Sequence, residues 1–201
     1  MIVERIYKKG NQLTGYLAIL SSNRIGVSSI SPLDKGNISK KFGIHLAVGR
    51  ALDITPELEY RREGDSSCLI INRNTCASKM KKIKKRLDAF PFEKGKEISY
   101  PKFLIEKITH YGKPFGYICA FDKNRFGISL CNTSDKWNPT LGRQLAIGRA
   151  YFDGQSDLGE ILHLQENPAQ FYNSDYFASI NDAYKSMVER AERYFKNPVE
   201  V

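Results

Sequence analysis

One segment of this 201-residue chain occurs twice, and that repetition limits the architecture more than any other feature. Residues 15–30 read GYLAILSSNRIGVSSI, and residues 116–131 read GYICAFDKNRFGISLC. Further on, GIHLAVGRA at 43–51 returns as GRQLAIGRA at 142–150. The offset is 101 residues in the first block and 99 in the second, so a loop difference of two residues separates the copies. A repeat of about 100 residues is of domain size, so it implies two similar halves that each bury a small core. A residue kept in both halves answers to a constraint that both share.

Each half reads as three strands followed by a helix. Alternating apolar positions place strands at about 2–8, 14–20 and 24–30, and again at about 102–110, 115–121 and 124–131. Ser39 is a helix N-cap, with Phe42, Leu46 and Ala47 on one face of a helix running to Leu52. In the second copy Pro139 suits the first turn of a helix that continues to about 152. A further strand is expected at 68–71 and its counterpart at 158–164. Closing helices are expected at about 77–90 and 174–196. Met80, Ile83, Leu87 and Phe90 form one apolar stripe; Phe177, Ile180, Tyr184, Met187, Ala191 and Phe195 form the other. The expected fold is α+β, a tandem duplication of a β-β-β-α-β-α unit. The halves span 1–92 and 96–201, meet at the Pro91–Gly95 connector and are related by a pseudo-twofold. The expected state is a monomer of this kind or a homodimer.

Charge separates the halves. Residues 1–100 hold 19 Lys and Arg against 10 Asp and Glu, whereas residues 101–201 hold 12 of each. The whole excess of +9 therefore lies in the first half, much of it in Lys79, Lys81, Lys82, Lys84, Lys85 and Arg86. Such a balance favours an anionic partner. There is no secretory signal pattern and no apolar run of membrane-spanning length, so the expected location is the cytoplasm, without a membrane partner. The four cysteines, Cys68, Cys76, Cys119 and Cys131, show no C-x-x-C or zinc-finger spacing, and Cys119 and Cys131 replace Ala18 and Ile30 of the first copy. They read as small core side chains.

The residues kept in both copies are Tyr16/Tyr117, Asn23-Arg24/Asn124-Arg125, Ser28/Ser129, Asp34-Lys35/Asp135-Lys136 and Arg50/Arg149, with glycines 26/127, 43/142 and 49/148. A helix-interior glycine costs about 1 kcal/mol against alanine. The helical pairs therefore point to close packing or to room for a ligand. The arginines suit either ion pairs with Asp34 and Asp135 or phosphate recognition through the planar guanidinium fork. No metal-spaced histidine pair, nucleophile elbow or phosphate loop is present, so neither an enzyme, a metal nor a cofactor is expected.

The stretch SLCNTSDKWNPTLGRQLAIGRA at 129–150 resembles a motif of small bacteriophage-encoded accessory proteins, in which a strand leads to Asp, an aromatic, basic residues and then G-x-x-[IL]-A-x-G-R. That resemblance implies a host-directed or anti-defence role in the host cytoplasm, including capture of cyclic-nucleotide signals. The three strands ahead of Ser39-Lys40-Lys41 are also similar to the double-stranded RNA-binding domain, whose helix N-terminus clamps phosphates; Pro139-Thr140-Leu141 departs from that pattern in the second half.

Three readings follow. The first is a non-enzymatic nucleic-acid-binding protein that holds phosphates with Lys40, Lys41, Lys79, Lys81, Lys82, Lys84, Lys85 and Arg86. The second is a binder of a small (cyclic) nucleotide signal in a pocket between the halves, using Tyr16, Arg24, Arg50, Tyr117, Arg125 and Arg149. The third is an inhibitor that binds a host protein.

Overall fold

The computed structural model describes residues 1–8, 12–21, 24–29, 40–53, 101–165 and 168–196. The chain divides into two compact units, Met1–Tyr100 and Pro101–Val201. The expected strand at 68–71, the helix at 77–90, the Pro91–Gly95 connector, Asp34, Ser39, Cys68 and Cys76 lie outside the described residues.

In the first unit, β1 (Ile2–Lys8), β2 (Gln12–Ser21) and β3 (Arg24–Ser29) form an antiparallel sheet in the order β1-β2-β3. Helix α1 (Lys40–Leu52) follows. In the second unit, β4 (Leu104–His110), β5 (Lys113–Ala120) and β6 (Phe126–Leu130) form a sheet of the same order, and α2 (Pro139–Asp153) follows. The fold is thus α+β, with two three-stranded antiparallel sheets among the described residues. Both sheets shift register at a matching place, after Ile6 in β1 and after Ile108 in β4. Asn138 caps α2 by accepting from Leu141 N at 3.0 Å, and Pro139 takes the first helical position, where a missing N–H costs nothing.

The conserved register explains the retained glycines. Gly127 lies on the face of the sheet that meets α2, and a Cβ built there would stand 2.2 Å from Ala150 N and 2.6 Å from Ala146 O. At Gly26 the same atom would stand 1.9 Å from Ala47 O and 2.5 Å from Ala51 N. Helix backbone and strand backbone therefore touch at these points, which only glycine permits. The helix glycines answer from the other side. A Cβ on Gly43 would press on the Tyr16 ring at 2.7 Å, and one on Gly142 would reach the Tyr117 ring at 3.3 Å. Gly49 and Gly148 are buried as well. Close packing of each helix on its own sheet accounts for the 26/127 and 43/142 pairs.

The opposite face of the second sheet carries a core cluster. Ile108, Ile118 and Ile128 are fully buried there with Phe126, against Ile161, Leu162, Phe171, Ile180, Met187 and Ala191 from three further helices. These are α3 (Leu158–His163), the one-turn α4 (Ala169–Tyr172) and α5 (Tyr176–Phe195). Because β5 is covered on both faces, its residues from Phe115 onward are buried without alternation. Cys119 is buried within it, as expected for a small apolar side chain, while Cys131 is only partly covered. In α5 the expected stripe points inward: Ile180, Met187 and Ala191 are fully buried, and Phe177, Tyr184 and Phe195 pack around them.

One element differs from expectation. Residues 158–164 are not a strand; Leu158–His163 is helical. Asp157 caps it by accepting from Glu160 N at 3.0 Å, and Leu158, Ile161 and Leu162 follow helical spacing. A short apolar run fits either periodicity, and the cap decides. The expected β-β-β-α-β-α order is therefore β-β-β-α-α-α-α in the second unit. No helix among the described residues is long and apolar enough to cross a membrane.

The β4–β5 connection is a two-residue turn, with His110 opposite Lys113. Tyr111 and Gly112 both have positive φ, 48° and 75°, the pattern of a type I′ turn. Glycine adopts this freely; a tyrosine there costs about 1–2 kcal/mol.

The two kinds of glycine contact give expectations of different size. Gly127→Ala forces backbone against backbone and lowers unfolding free energy by about 3 kcal/mol, whereas Gly142→Ala needs only a small ring movement and changes it by less than about 1 kcal/mol. Urea denaturation of both variants checks this; equal effects would refute a backbone contact at Gly127.

Candidate functional site

An outermost strand exposes carbonyls and N–H groups that must find partners. Among the described residues β6 and β3 are such strands, and the retained arginines serve them. Arg149, buried at 4% exposure, donates through Nη1 to Ile128 O at 2.8 Å and to Gln165 Oε1 at 2.6 Å. Gln165 then acts as a substitute peptide: its Nε2 donates to Ile128 O at 2.6 Å, and its Oε1 accepts from Leu130 N at 3.3 Å. One residue pair earlier, Phe126 and Gln155 exchange backbone hydrogen bonds of 3.0 and 3.2 Å. The outer edge of β6 is thereby closed along Phe126, Ile128 and Leu130. In the first unit Arg50 Nη1 donates to Val27 O at 2.6 Å, the position that matches Ile128. Burial pulls the Arg50 guanidinium below its ordinary value.

Pairing with aspartate, one of the two readings of the retained arginines, is corrected for Arg149 in the second unit. Asp135 is exposed in the loop before α2, where its backbone N–H donates to Asn132 O at 2.9 Å, while Arg149 lies buried on oxygens of the strand edge. A carbonyl edge offers a guanidinium several acceptors without the desolvation of a second charge.

The retained tyrosines lie beneath the helices. Tyr16 and Tyr117 are 2% and 6% exposed, and each is paired across the sheet with the retained serine, Ser28 or Ser129. Ser129 Oγ donates to Gly142 O at 2.5 Å and so ties sheet to helix. Tyr117 stacks on Trp137 with ring centroids 5.6 Å apart and planes 15° from parallel. Burial pushes the Tyr16 hydroxyl above its ordinary range, and nearby Arg5 acts in the opposite direction. Arg125 sits in the β5–β6 turn, where its Nε donates to Asp122 Oδ2 at 2.5 Å. Burial resists ionisation of Asp122, but the Asn124 N–H and the Arg125 guanidinium outweigh it and hold the carboxyl below its usual range. Arg24 is the first residue of β3.

Of the nucleotide-pocket residues, Tyr16 and Arg50 thus serve the first unit, and Tyr117, Arg125 and Arg149 the second. Of the phosphate-binding residues, Lys40 and Lys41 are exposed in the first turn of α1, a turn that holds no acidic residue. Lys79, Lys81, Lys82, Lys84, Lys85 and Arg86 lie outside the described residues. Among the described residues no cluster of His, Cys, Asp and Glu could hold a metal ion.

Gln165 was not legible in the sequence, because it has no counterpart in the repeated segments and follows an element that reads as a strand. The role assigned to it is testable. Gln165→Leu leaves the Leu130 N–H without that acceptor and costs about 2 kcal/mol of stability. Arg149→Leu and the double variant complete a cycle with a coupling energy of about 1 kcal/mol or more, read by chemical denaturation; strict additivity would refute a shared network. Comparisons of the chain with protein-family models, curated proteins and solved structures found no match.

Proposed function

We propose that the chain is a tandem duplication of a three-strand-and-helix unit whose first copy binds nucleic acid through phosphate contacts, without catalysis. Support for the duplication comes from matching register shifts after Ile6 and Ile108 and matching arginine contacts to Val27 O and Ile128 O. The β1 and β4 strands lie outside the segments of clear sequence identity, so their agreement is an independent argument.

The observation that carries the binding reading is the charge imbalance between the copies, 19 basic against 10 acidic residues in the first and 12 against 12 in the second. Lys40 and Lys41 add exposed positive charge to a helix N-terminus, where the dipole already favours anions and no acidic side chain competes. Two lysines in a first helical turn oppose that dipole, so they cost the isolated helix some stability. A phosphate partner would reverse the sign of that interaction. Contacts of this kind position a partner and carry no sequence information. The phage-type accessory role implied by the 129–150 motif is compatible with such a protein. Capture of a small nucleotide ranks second, because Tyr16, Tyr117, Arg50 and Arg149 are spent on packing and strand edges within each unit.

Nucleic-acid affinity is expected to fall steeply with salt, by about one power of salt concentration for each neutralised phosphate. Joint charge reversal of Lys81, Lys82, Lys84 and Lys85 to Glu lowers affinity at least about 100-fold, while single Lys40→Ala and Lys41→Ala changes each reduce the salt slope by about 1. Fluorescence anisotropy across a salt series, with circular dichroism to confirm folding, measures both. Unchanged affinity in the reversed protein, or binding insensitive to salt, would overturn the reading.

A further inference from the structure

The tip of the β4–β5 hairpin carries an aromatic ring that neither the turn nor the core requires. Tyr111 has φ 48° and is 91% exposed. Asparagine, aspartate or glycine supplies this backbone more cheaply, and a ring so exposed recovers almost nothing by burial. Strained residues of this kind gather at sites of recognition.

The ring is also held from below. The Tyr111 and His110 centroids are 4.3 Å apart, His110 lies 4.4 Å from Tyr176, and Tyr176 lies 4.8 Å from Phe115, which is buried. His110 Nδ1 and Ser179 Oγ share a hydrogen bond of 2.9 Å, which fixes the imidazole against α5. A line of rings thus runs from the core to the tip and ends on an open face. The surrounding hairpin is exposed: Thr109, Gly112, Lys113 and Pro114 all face solvent.

We propose that Tyr111 is a stacking platform for an unpaired nucleic-acid base, with Lys113 placed for the adjoining phosphate. The proposal rests on the nucleic-acid reading above, adds to it a contact made by the second unit, and narrows the ligand to single strands. A protein partner needs a contiguous patch of roughly 800 Å² on each side. The narrow tip offers one almost fully exposed ring, that of Tyr111, which suits one base: stacking needs a single π-face and tolerates any sequence.

The test compares wild type, Tyr111→Asn and Tyr111→Phe for binding to a fluorescein-labelled single strand of about 15 nucleotides and to the duplex of the same length. Asparagine is the better turn residue, so Tyr111→Asn keeps or raises the melting temperature and folding is not at issue. It is expected to lose about tenfold or more in single-strand affinity with no loss for the duplex, while Tyr111→Phe retains binding. Equal single-strand affinity of Tyr111→Asn and wild type would overturn the proposal and leave the phosphate reading intact. Equal losses for single strand and duplex would also overturn it, and absence of binding to either oligonucleotide would remove both.

Discussion

The contact between helix backbone and strand backbone at Gly127, and its match at Gly26, is the constraint on which the rest of each unit depends. With no side chain between them, α2 settles against β6 so closely that a Cβ would overlap the helix carbonyl and amide groups. That approach brings Ser129 within reach of Gly142 O and lays Tyr117 under the first turn of α2. It also sets the depth at which Arg149 enters. A helix standing farther off would leave the guanidinium short of Ile128 O, and the strand edge would need another partner.

The second unit completes that edge more fully than the arginine alone could. A guanidinium has donors only, so it can satisfy Ile128 O but not Leu130 N–H. Gln165 supplies both functions in one planar amide, donating to the first and accepting from the second. Side chains here do the work of a fourth strand over one residue pair, and the Gln155 backbone does it over another. An edge closed in this way is protected from pairing with another chain. The retained arginines are therefore best understood through the sheets they finish, even though guanidinium groups flanked by small residues look suited to phosphate.

Residues shared by the copies carry the common architecture. Features of one copy only are where function can differ, and there the halves diverge: the basic excess in the first, the Tyr111 tip in the second. Packing tolerates few substitutions and surfaces tolerate many, so loops and charges can differ where the buried framework agrees.

Strand and helix order in the repeated segments was legible from local pattern, since alternation, the Pro139 helix start and the glycine positions all act over a few residues. The inward stripe of α5 was legible for the same reason: its 3- and 4-residue spacing admits one face. The segment at Leu158–His163 was not, because six residues with three apolar positions satisfy both periodicities, and the choice fell to the Asp157 cap and to burial of Ile161 and Leu162 against the sheet. The roles of Arg149 and Gln165 belonged wholly to the tertiary structure. A guanidinium takes whichever acceptor is brought within hydrogen-bond distance, and that distance is set by the approach of helix to sheet, not by neighbours in the chain. By itself the sequence determined that a unit of three strands and a helix occurs twice, and that the positive charge belongs to the first. Tertiary structure decided which of the repeated side chains are consumed in holding each unit together and which remain on the surface, because burial depends on contacts between segments far apart in sequence.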